Sequence, residues 1–373
     1  MLYLDNSATS IRKPPVVYRS FFYNTLFNSA TAGRGSHKPS LRALNGILNA
    51  QEAAARLFNA DNPMNIAFTY NATYALNMVI LGAVREGGHI IATQMDHNSV
   101  LRPIVRRGNY SIVNADRRGH VSASDVEAAI RPNTRLVICT HASNVCGTIQ
   151  PVKEIARVAH RHGALFLLDA AQSAGCIPID AQDIGADFIA FSGHKGLMGP
   201  LGTGGLYVRD PSKLESVITG GTGSQSESMR HPALMPDMLH PGTINAPGVA
   251  ALGTAINFVM DYGVEAIGDK EREMANRLHN ELMNMKNVSV YGRYNRTGAV
   301  AFNIKGLGSE ETAERLGGRA VVRAGYHCAP LAHKALGTQN TGAVRASFGF
   351  YNTMRDVNKF TDIVYKASRG MQG

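Results

Sequence analysis

The feature of this chain that most limits its fold is a regular alternation of short apolar runs and helical segments between residues 65 and 210. The run Ala164-Leu-Phe-Leu-Leu168 contains no polar residue, which is typical of a strand covered on both faces. A segment with helical periodicity, residues 152–162, comes immediately before it. Because strands linked by crossover helices pair in parallel, the alternation predicts an α/β domain with a mostly parallel sheet.

Similar patterns predict the other elements. Strands are expected at residues 65–69, 89–93, 135–140, 188–191 and 205–208, with helices at 72–84 and 126–130. After Gly242 the pattern changes to two helices (250–262 and 269–285), two strands (288–291 and 299–303) and a last helix (354–367). We therefore expect a large α/β domain over residues 14–250 and a smaller α+β domain made of residues 1–13 and 251–373.

The composition is that of a folded protein with a basic surface. Apolar residues make up 44% of the 373 residues and charged residues 18%, which argues against disorder. The net charge of +10 is densest between Arg102 and Arg118, where we favour a solvated basic face. Such a face is also able to attract an acidic protein partner or an anionic small molecule. No zinc-finger, RNP or basic-zipper pattern is present, so nucleic acid is not an expected partner.

The cysteines and the N-terminal sequence indicate a reducing compartment. No two cysteines have CxxC spacing, so neither a zinc site nor a redox pair is expected. Cys139 and Cys176 lie in or beside apolar runs, as core residues do. The first ten residues, MLYLDNSATS, lack the regions of a signal peptide, and no apolar run approaches membrane length. We therefore expect a cytoplasmic protein with no membrane association and no bound metal.

Two ionisable residues follow predicted strands. Asp169 directly follows the run 164–168, and Lys195 lies just beyond the run 187–191. In a parallel sheet the carboxyl ends of the strands form one edge, where ligands bind. Each residue alone has an ordinary explanation, since Asp often caps a helix and lysines are common in glycine-rich turns. Together they are the two groups that pyridoxal phosphate requires, a carboxylate for the ring nitrogen and an amine for a Schiff base.

A cofactor of this kind also needs a phosphate site. Thr73 lies at the start of a predicted helix, where backbone N–H groups favour phosphate, although such residues also simply cap helices. Ser192 and His194 are placed to add further donors. His97 and Asn144 each follow another strand, and His97 either stacks on a ring or is an ordinary loop histidine. Polar residues at five strand ends favour a single cofactor site over coincidence.

Ordered motifs along nearly the whole chain resemble the class V aminotransferase family of pyridoxal phosphate enzymes, fold type I, and within it the cysteine desulfurases. The motifs are Tyr3-Leu-Asp-Asn-Ser-Ala-Thr9, Gly33-Arg-Gly-Ser-His37, Asp96-His-Asn-Ser99, Ser143-Asn-Val145, Asp169-Ala-Ala-Gln172, Ser192-Gly-His-Lys195, Gly242-Thr-Ile-Asn245, Arg323-Ala-Gly-Tyr-His-Cys-Ala-Pro330 and Val344-Arg-Ala-Ser347. The resemblance implies a mostly parallel seven-stranded sheet flanked by helices, with a smaller α+β domain.

The resemblance also assigns roles around the cofactor, pyridoxal 5′-phosphate. Lys195 would form the Schiff base, Asp169 would pair with the ring nitrogen and Gln172 would bond the phenolic oxygen. His97 would stack on the ring and take part in catalysis. The phosphate would be held by Thr73, Ser192 and His194, and Ala72 would also contact the cofactor.

For the substrate, the resemblance implies a clamp and a partner subunit. Arg345 would bind the substrate carboxylate, which suits the fork geometry of a guanidinium group. Asn144 would orient the cofactor or the substrate, and Arg34 and His37 would line the mouth of the site. Thr222, in a Gly-Gly-Thr-Gly loop, would reach the phosphate of the other subunit, so we expect a homodimer with shared active sites.

Cys328 is the cysteine that bears on the reaction. A lone cysteine is usually a small core residue. By the resemblance, its thiolate would attack the sulfur of L-cysteine, release L-alanine and keep the sulfur as a persulfide. We expect the neighbouring His327 to help lower the pKa of the thiol. The short loop around Cys328 resembles the SufS-like group of desulfurases, and it suggests slow turnover unless an acceptor protein takes the sulfur.

Two segments depart from the family pattern. His240-Pro241 stand where an acidic residue is usual, and residues 224–238 match nothing in the pattern. These departures bear on substrate access or the partner surface. The alternatives to a cysteine desulfurase are a selenocysteine lyase acting on L-selenocysteine, another class V enzyme that needs no thiol at position 328, and a non-catalytic sulfur carrier. The retained Lys195, Asp169, Gln172 and Arg345 disfavour the last.

Overall fold

Strands and helices alternate along most of the chain in the computed structural model, which describes residues 2–32, 35–292 and 296–370. The strands are β1 (Leu2–Tyr3), β2 (Ile66–Thr69), β3 (His89–Thr93), β4 (Tyr110–Val113), β5 (Thr134–Thr140), β6 (Leu165–Asp169), β7 (Phe188–Ser192), β8 (Gly204–Val208), β9 (Val288–Tyr291), β10 (Ala299–Ile304), β11 (Ala320–Val321) and β12 (Val344–Ser347). The helices are α1 (Pro15–Phe27), α2 (Lys38–Phe58), α3 (Ala72–Gly82), α4 (Asn98–Arg107), α5 (Ala123–Ala128), α6 (Val152–Arg161), α7 (Ala181–Ile184), α8 (Ala246–Tyr262), α9 (Val264–Met283), α10 (Ser309–Arg315), α11 (Pro330–Leu336) and α12 (Met354–Ser368).

Seven strands form the central sheet, in the order β2-β8-β7-β6-β5-β3-β4. β8 pairs antiparallel with both of its neighbours, and the remaining pairs are parallel. Six strands therefore run in one direction, and their carboxyl ends lie at the same edge. The expected seven-stranded, mostly parallel α/β sheet is confirmed.

The two faces of this sheet bury different cores. Leu167 packs in one core with residues of α3 and α4, and the adjacent Leu168 packs in the other with residues of α2, α6 and α8. Successive side chains of a strand point to opposite faces, so a strand covered on both sides must be apolar throughout. This explains why β5 to β8 show no polar alternation.

A second, three-stranded antiparallel sheet, ordered β12-β10-β9, forms a separate core with α9 and α12. Phe302 and Phe360 meet there with ring centroids 6.0 Å apart. The start of the chain joins this unit, because β1 pairs in parallel with β11 and Leu4 is fully buried in the same core. The expected limit at residue 250 falls inside α8, which runs unbroken across it and packs against α1 and α2. The division into two domains stays a prediction.

The edge strand β4 was not predicted. It is only four residues long and only Val113 in it is buried, so it shows neither a long apolar run nor clear alternation. Cys139 and Cys176 are buried as expected. In the described ranges, no helix combines the length and apolar character needed to cross a membrane.

Candidate active site

The carboxyl ends of the parallel strands surround a cavity of about 260 Å³. Nine of the residues predicted for the site line it: Ala72, Thr73, His97, Asn144, Asp169, Gln172, Ser192, His194 and Lys195. They come from the ends of β3, β5, β6 and β7 and from the start of α3. These nine residues, which were predicted from their positions near strand ends and a helix start and from the family resemblance, therefore lie together around one cavity.

Lys195 lies in a tight turn after β7 that is held from two sides. The hydroxyl of Ser10 donates to the carbonyl oxygen of Lys195 at 3.0 Å, and the backbone of Gly175 packs directly against Gly196. A Cβ added at Gly175 would lie 2.7 Å from the Gly196 carbonyl carbon, so only glycine permits this approach. Burial lowers the pKa of Lys195 to about 8, although Asp169 acts in the opposite direction. Near neutral pH a fraction of this amine is therefore unprotonated and able to act as a nucleophile or base.

Asp169 ends β6 at the floor of the cavity and is 3% exposed. Its Oδ1 accepts a hydrogen bond from the N–H of Ala171 at 2.9 Å. Burial raises its pKa, while Lys195 and the Ala171 hydrogen bond lower it. A buried carboxylate of this kind is stabilised by a cationic group placed against it.

The start of α3 forms another wall of the cavity. Asn71 caps the helix by accepting from the N–H of Tyr74 at 3.2 Å. The hydroxyl groups of Thr73 and Ser99 are 2.8 Å apart and belong to the first turns of α3 and α4. Free backbone N–H groups and hydroxyls at the first turn of an 11-residue helix suit a phosphate group.

His97 caps α4 and is neutral. Its Nδ1 accepts from the N–H of Ser99 at 3.1 Å. Burial lowers its pKa to about 4, and the cations Lys195, Arg102 and Arg345 lower it in the same direction. A neutral imidazole at the cavity wall suits stacking against an aromatic ring.

Arg345 lies behind the cavity in a buried network of charges. It is 2% exposed; its Nη2 donates to Oδ1 of Asp5 at 2.7 Å and its Nη1 to the carbonyl oxygen of Asn144 at 2.7 Å. The other oxygen of Asp5 accepts from Nη2 of Arg323 at 2.8 Å. The buried Nε of Arg345 has no hydrogen-bond partner in the described part of the chain. This leaves a donor for a ligand carboxylate.

Cys328 lies on a constrained loop next to this network, and its side chain is exposed. His327 and Cys328 both have positive φ angles, 51° and 54°, which cost energy in residues other than glycine. Two hydrogen bonds hold the loop: Asn144 Nδ2 donates to the carbonyl oxygen of His327 at 2.6 Å, and the N–H of Asn98 donates to that of Cys328 at 2.7 Å. A thiolate at Cys328 is close enough to Lys195 to raise the pKa of the amine.

His327, which is expected to help lower the pKa of the Cys328 thiol, is not placed to do so as a cation. Burial lowers the pKa of His327 to about 3, and Arg345 lowers it further. The ring of His327 is stacked on His333, with Nδ1 3.2 Å from Nε2 of that residue. His327 is therefore neutral at physiological pH and supports the loop instead.

The remaining predicted residues lie elsewhere. Arg34 falls outside the described residues. His37 is exposed and caps α2 by accepting from the N–H of Ser40 at 3.3 Å. Thr222 lines a different cavity, with Thr31 and His240. Their roles stay predictions.

The two unusual segments have structural roles. Nε2 of His240 accepts from the N–H of Phe68 in the edge strand β2 at 2.8 Å. Burial lowers the pKa of His240 to about 4, so the neutral ring acts as an acceptor. Residues 224–238 end with Met238 in the core beside Leu239.

Two buried acids at the site were missed by the sequence reasoning. Asp5 joins Arg345 to Arg323, and Asp96 accepts from the N–H groups of Thr93 and Thr140 at 2.6 and 2.8 Å. Both acids lie inside quoted motifs, Tyr3–Thr9 and Asp96–Ser99, so their position in a motif was the available signal.

A seven-stranded, mostly parallel sheet with a lysine and an aspartate at adjacent strand ends defines a pyridoxal phosphate enzyme of fold type I. A family model described as "Aminotransferase class-V" matches residues 2–360, and the chain belongs to this family.

Similar proteins cover nearly the whole chain. A protein of Methanothermobacter thermautotrophicus named "Probable cysteine desulfurase" is 37% identical, with 95% of this chain and 92% of that protein covered. One of Halalkalibacterium halodurans with the same name is 36% identical, covering 96% and 91%. The solved apo cysteine desulfurase of Thermococcus onnurineus has a TM-score of 0.92 at 32% identity, over 99% of this chain and 95% of that one. The S-sulfonic acid form of the Escherichia coli cysteine desulfurase CsdA has a TM-score of 0.88 at 26% identity, with the same coverage.

Members of this family are pyridoxal phosphate enzymes, and the cavity fits the cofactor. It combines an amine whose pKa is about 8, a buried carboxylate, a neutral imidazole and the start of a helix. These groups match the aldehyde, the pyridine nitrogen, the ring face and the phosphate of pyridoxal phosphate.

Proposed function

We propose that the protein is a pyridoxal phosphate-dependent cysteine desulfurase, which converts L-cysteine to L-alanine and leaves the sulfur as a persulfide on Cys328. The observation that carries this proposal is the exposed Cys328 on a strained loop, tied by Asn144 and Asn98 to the cavity that contains Lys195. A class V enzyme of another type would not need a thiol there. The names of the similar proteins support the same activity.

The residues of the cavity would hold the cofactor by complementary chemistry. Lys195 would bind its aldehyde, Asp169 its ring nitrogen, and the start of α3 with Thr73 its phosphate, while His97 would lie against the ring. Ser192 and His194 would complete the phosphate site, and Gln172, whose amide donates to the Ser7 carbonyl oxygen at 3.0 Å, would reach the phenolic oxygen. When bound, the cofactor supplies an electron sink for the substrate carbons.

Side chains of the protein would bind the substrate, transfer the proton and accept the sulfur. Arg345 would bind the substrate carboxylate through its free Nε, and Asp5 would keep the guanidinium group in place. Lys195 would take a proton from Cα of the substrate and return it to the product. The thiolate of Cys328 would attack the substrate sulfur. The new S–S bond would form while the bond from that sulfur to Cβ breaks with its electrons going to carbon, and that carbon would take up a proton equivalent to the one released by the Cys328 thiol.

Three further assignments belong to the same proposal. Thr222 lies outside the cavity of its own chain, which fits a homodimer in which it reaches the partner's phosphate site. Its hydroxyl group here contacts the Ser224 hydroxyl at 3.2 Å. The four cysteines are all free, in keeping with a cytoplasmic location. We also propose that residues 14–250 form the large domain and that residues 1–13 and 251–373 form the small one.

Single-turnover measurements with L-cysteine test this function. The wild-type holoenzyme should form alanine and gain the mass of one sulfur atom on Cys328. Cys328→Ala should retain the visible absorbance of the bound cofactor but lose sulfide release, and Cys139→Ala is the control with a different cysteine. Unchanged sulfide release in Cys328→Ala would rule out the persulfide, and a protein that takes up no pyridoxal phosphate would rule out the whole proposal.

L-Selenocysteine is the alternative substrate, since it carries the same amino and carboxylate groups for Lys195 and Arg345. Selenium leaves more readily than sulfur, so selenide release should persist in Cys328→Ala. Comparing both amino acids on wild type and variant separates a desulfurase from a selenocysteine lyase.

A further inference from the structure

The chain around Cys328 contains basic residues but no acidic ones. Residues 315–355 include no Asp or Glu but six Arg or Lys, and residues 97–115 likewise lack an acid but include Arg102, Arg106 and Arg107. The fold brings these two segments together at Cys328.

Two helices meet at this cysteine. The N–H of Asn98, the first residue of α4, donates to the carbonyl oxygen of Cys328 at 2.7 Å. Arg102 and Arg106 follow at intervals of four residues, so they lie on the same face of α4, and both are exposed. α11 begins two residues after Cys328, and Lys334 in its last turn is exposed.

Arg117 is a fourth cation near these two helices. Nη1 of Arg117 lies 3.8 Å from the position that a Cβ on Gly337, at the end of α11, would occupy. We call Arg102, Arg106, Arg117 and Lys334 the basic rim. Within the described residues, none of the four forms an ion pair.

Little negative charge offsets the rim. Asp5 is occupied by Arg323 and Arg345. Asp116 is the acid nearest to the rim in sequence, and its Oδ1 accepts the N–H groups of Arg118 and His120 at 2.8 Å each. These bonds to the backbone do not remove its charge, so one carboxylate stands beside the four cations of the rim. The excess of positive charge next to the Cys328 loop favours an acidic partner.

Building on the proposed function, we infer that the basic rim is the docking surface for an acidic protein that accepts the sulfur of Cys328 on a thiol of its own. Tyr326, two residues before Cys328 and 47% exposed, offers an aromatic contact of the kind enriched at protein interfaces. The acceptor's thiolate attacks the outer sulfur of the persulfide. The S–S bond to Cys328 breaks, a new S–S bond forms on the acceptor, and Cys328 leaves as a thiolate. No external oxidant or reductant is needed.

The test uses three synthetic peptides, each with a central cysteine flanked by glutamate, glutamine or lysine residues. The holoenzyme is first loaded with L-cysteine, and loading is checked by the mass of one added sulfur atom. Transfer to each peptide is then followed by mass spectrometry. We expect the glutamate peptide to react about tenfold faster than the glutamine peptide at low ionic strength. This preference should vanish near 1 M salt, where the screening length is about 3 Å.

Charge-reversal variants test whether the preference for the glutamate peptide depends on the basic rim. The double variant Arg106→Glu/Lys334→Glu should lose the preference for the glutamate peptide but transfer sulfur to the uncharged dithiothreitol at the wild-type rate. Arg102 is left in place because it acts on the pKa of His97. Arg135→Glu, exposed at the start of β5 on the opposite edge of the sheet, is the matched control and should keep the preference.

The outcomes separate the two proposals. Failure to load sulfur on Cys328 would contradict the proposed function. Normal loading followed by equal transfer to all three peptides, or by an unchanged preference in the double variant, would overturn the acidic-partner inference alone.

Discussion

Asp5 determines how Arg345 is presented to a substrate carboxylate. It is 6% exposed; its Oδ1 accepts from Arg345 at 2.7 Å and more weakly from Arg323 at 3.3 Å, and its Oδ2 accepts from Arg323 at 2.8 Å. In Asp5→Asn one arginine would lose its acceptor, and hydrogen bonds to charged groups contribute about 1.5–3 kcal/mol. We expect the KM for L-cysteine to rise about tenfold or more, because 1.4 kcal/mol corresponds to a factor of ten. The kcat should change much less, since Asp5 does not line the cavity.

Steady-state kinetics with L-cysteine, together with the cofactor absorbance, check this prediction. Asp356→Asn is the control, because Asp356 caps α12 and makes no contact with either arginine. A lower KM in Asp5→Asn would contradict the prediction and indicate that Asp5 competes with the substrate for Arg345.

The role of a single residue was predictable where its position after a strand or in a motif places it at the site. It was not predictable where the role depends on contact between charged residues far apart in the chain. Lys195 and Asp169 follow apolar strands, so the topology alone brings them together. Asp5 and Arg345 are 340 residues apart in the chain, and no local pattern joins them. The neutral state of His327 depends on burial against His333, which the sequence does not reveal.

At the level of secondary structure, Asp96 joins the ends of β3 and β5. One carboxylate oxygen accepts from the N–H of Thr93, and the other accepts from that of Thr140. An asparagine has only one oxygen, so its NH₂ group would face a backbone N–H and leave it unsatisfied. We expect Asp96→Asn to lower the free energy of unfolding by about 1–3 kcal/mol.

Urea unfolding of the cofactor-free protein at about pH 8, above the pKa of about 7 of Asp96, measures this effect. Asp116→Asn is the matched control, because Asp116 accepts two backbone N–H groups through a single oxygen and an asparagine can keep both. The control should change stability by less than about 0.5 kcal/mol. Equal effects in the two variants would show that Asp96 does not link the strands.

The central strands of the large sheet were predictable from their apolar runs. β5, β6, β7 and β8 are apolar runs enclosed on both faces, and each was found within one residue of its limits. The edge strand β4 has little burial and was missed. The reversed direction of β8 has no sequence signal, because an apolar run is the same in either direction.

The whole molecule buries titratable groups of two kinds, with opposite consequences for stability. Burial lowers the pKa of His327 to about 3, from 6.5, and that of six other histidines to about 4: His97, His141, His194, His240, His279 and His333. Burial also raises the pKa of Asp96 to about 7 and that of Glu271 to about 8. Each group binds protons differently in the folded and unfolded chains, so stability depends on pH.

Below pH 6.5 the histidines determine how the free energy of unfolding changes with pH. Between pH 4 and 6.5 the unfolded chain binds protons on them that the folded chain does not, so the free energy of unfolding falls as the pH decreases. Above their unfolded values of 3.8 and 4.5, Asp96 and Glu271 keep protons that the unfolded chain releases, so their own contribution to stability falls as the pH rises towards about 8. Because the seven histidines outnumber the two acids, we expect the free energy of unfolding to rise from about pH 4.5 to about pH 7.

Urea unfolding of the cofactor-free protein at intervals from about pH 4.5 to about pH 8.5 gives this profile. Glu271→Gln removes the carboxyl whose pKa is about 8, so stability should rise more steeply between pH 6.5 and 8 in this variant than in the wild type. Glu273→Gln, exposed on the same helix α9, is the control and should leave the slope unchanged. The same slope in Glu271→Gln as in the wild type would mean that Glu271 is ionised in the folded protein. The buried acid would then be stabilised by the neighbouring Lys270, which already lowers its pKa and whose amine donates to the Phe350 carbonyl oxygen at 2.6 Å.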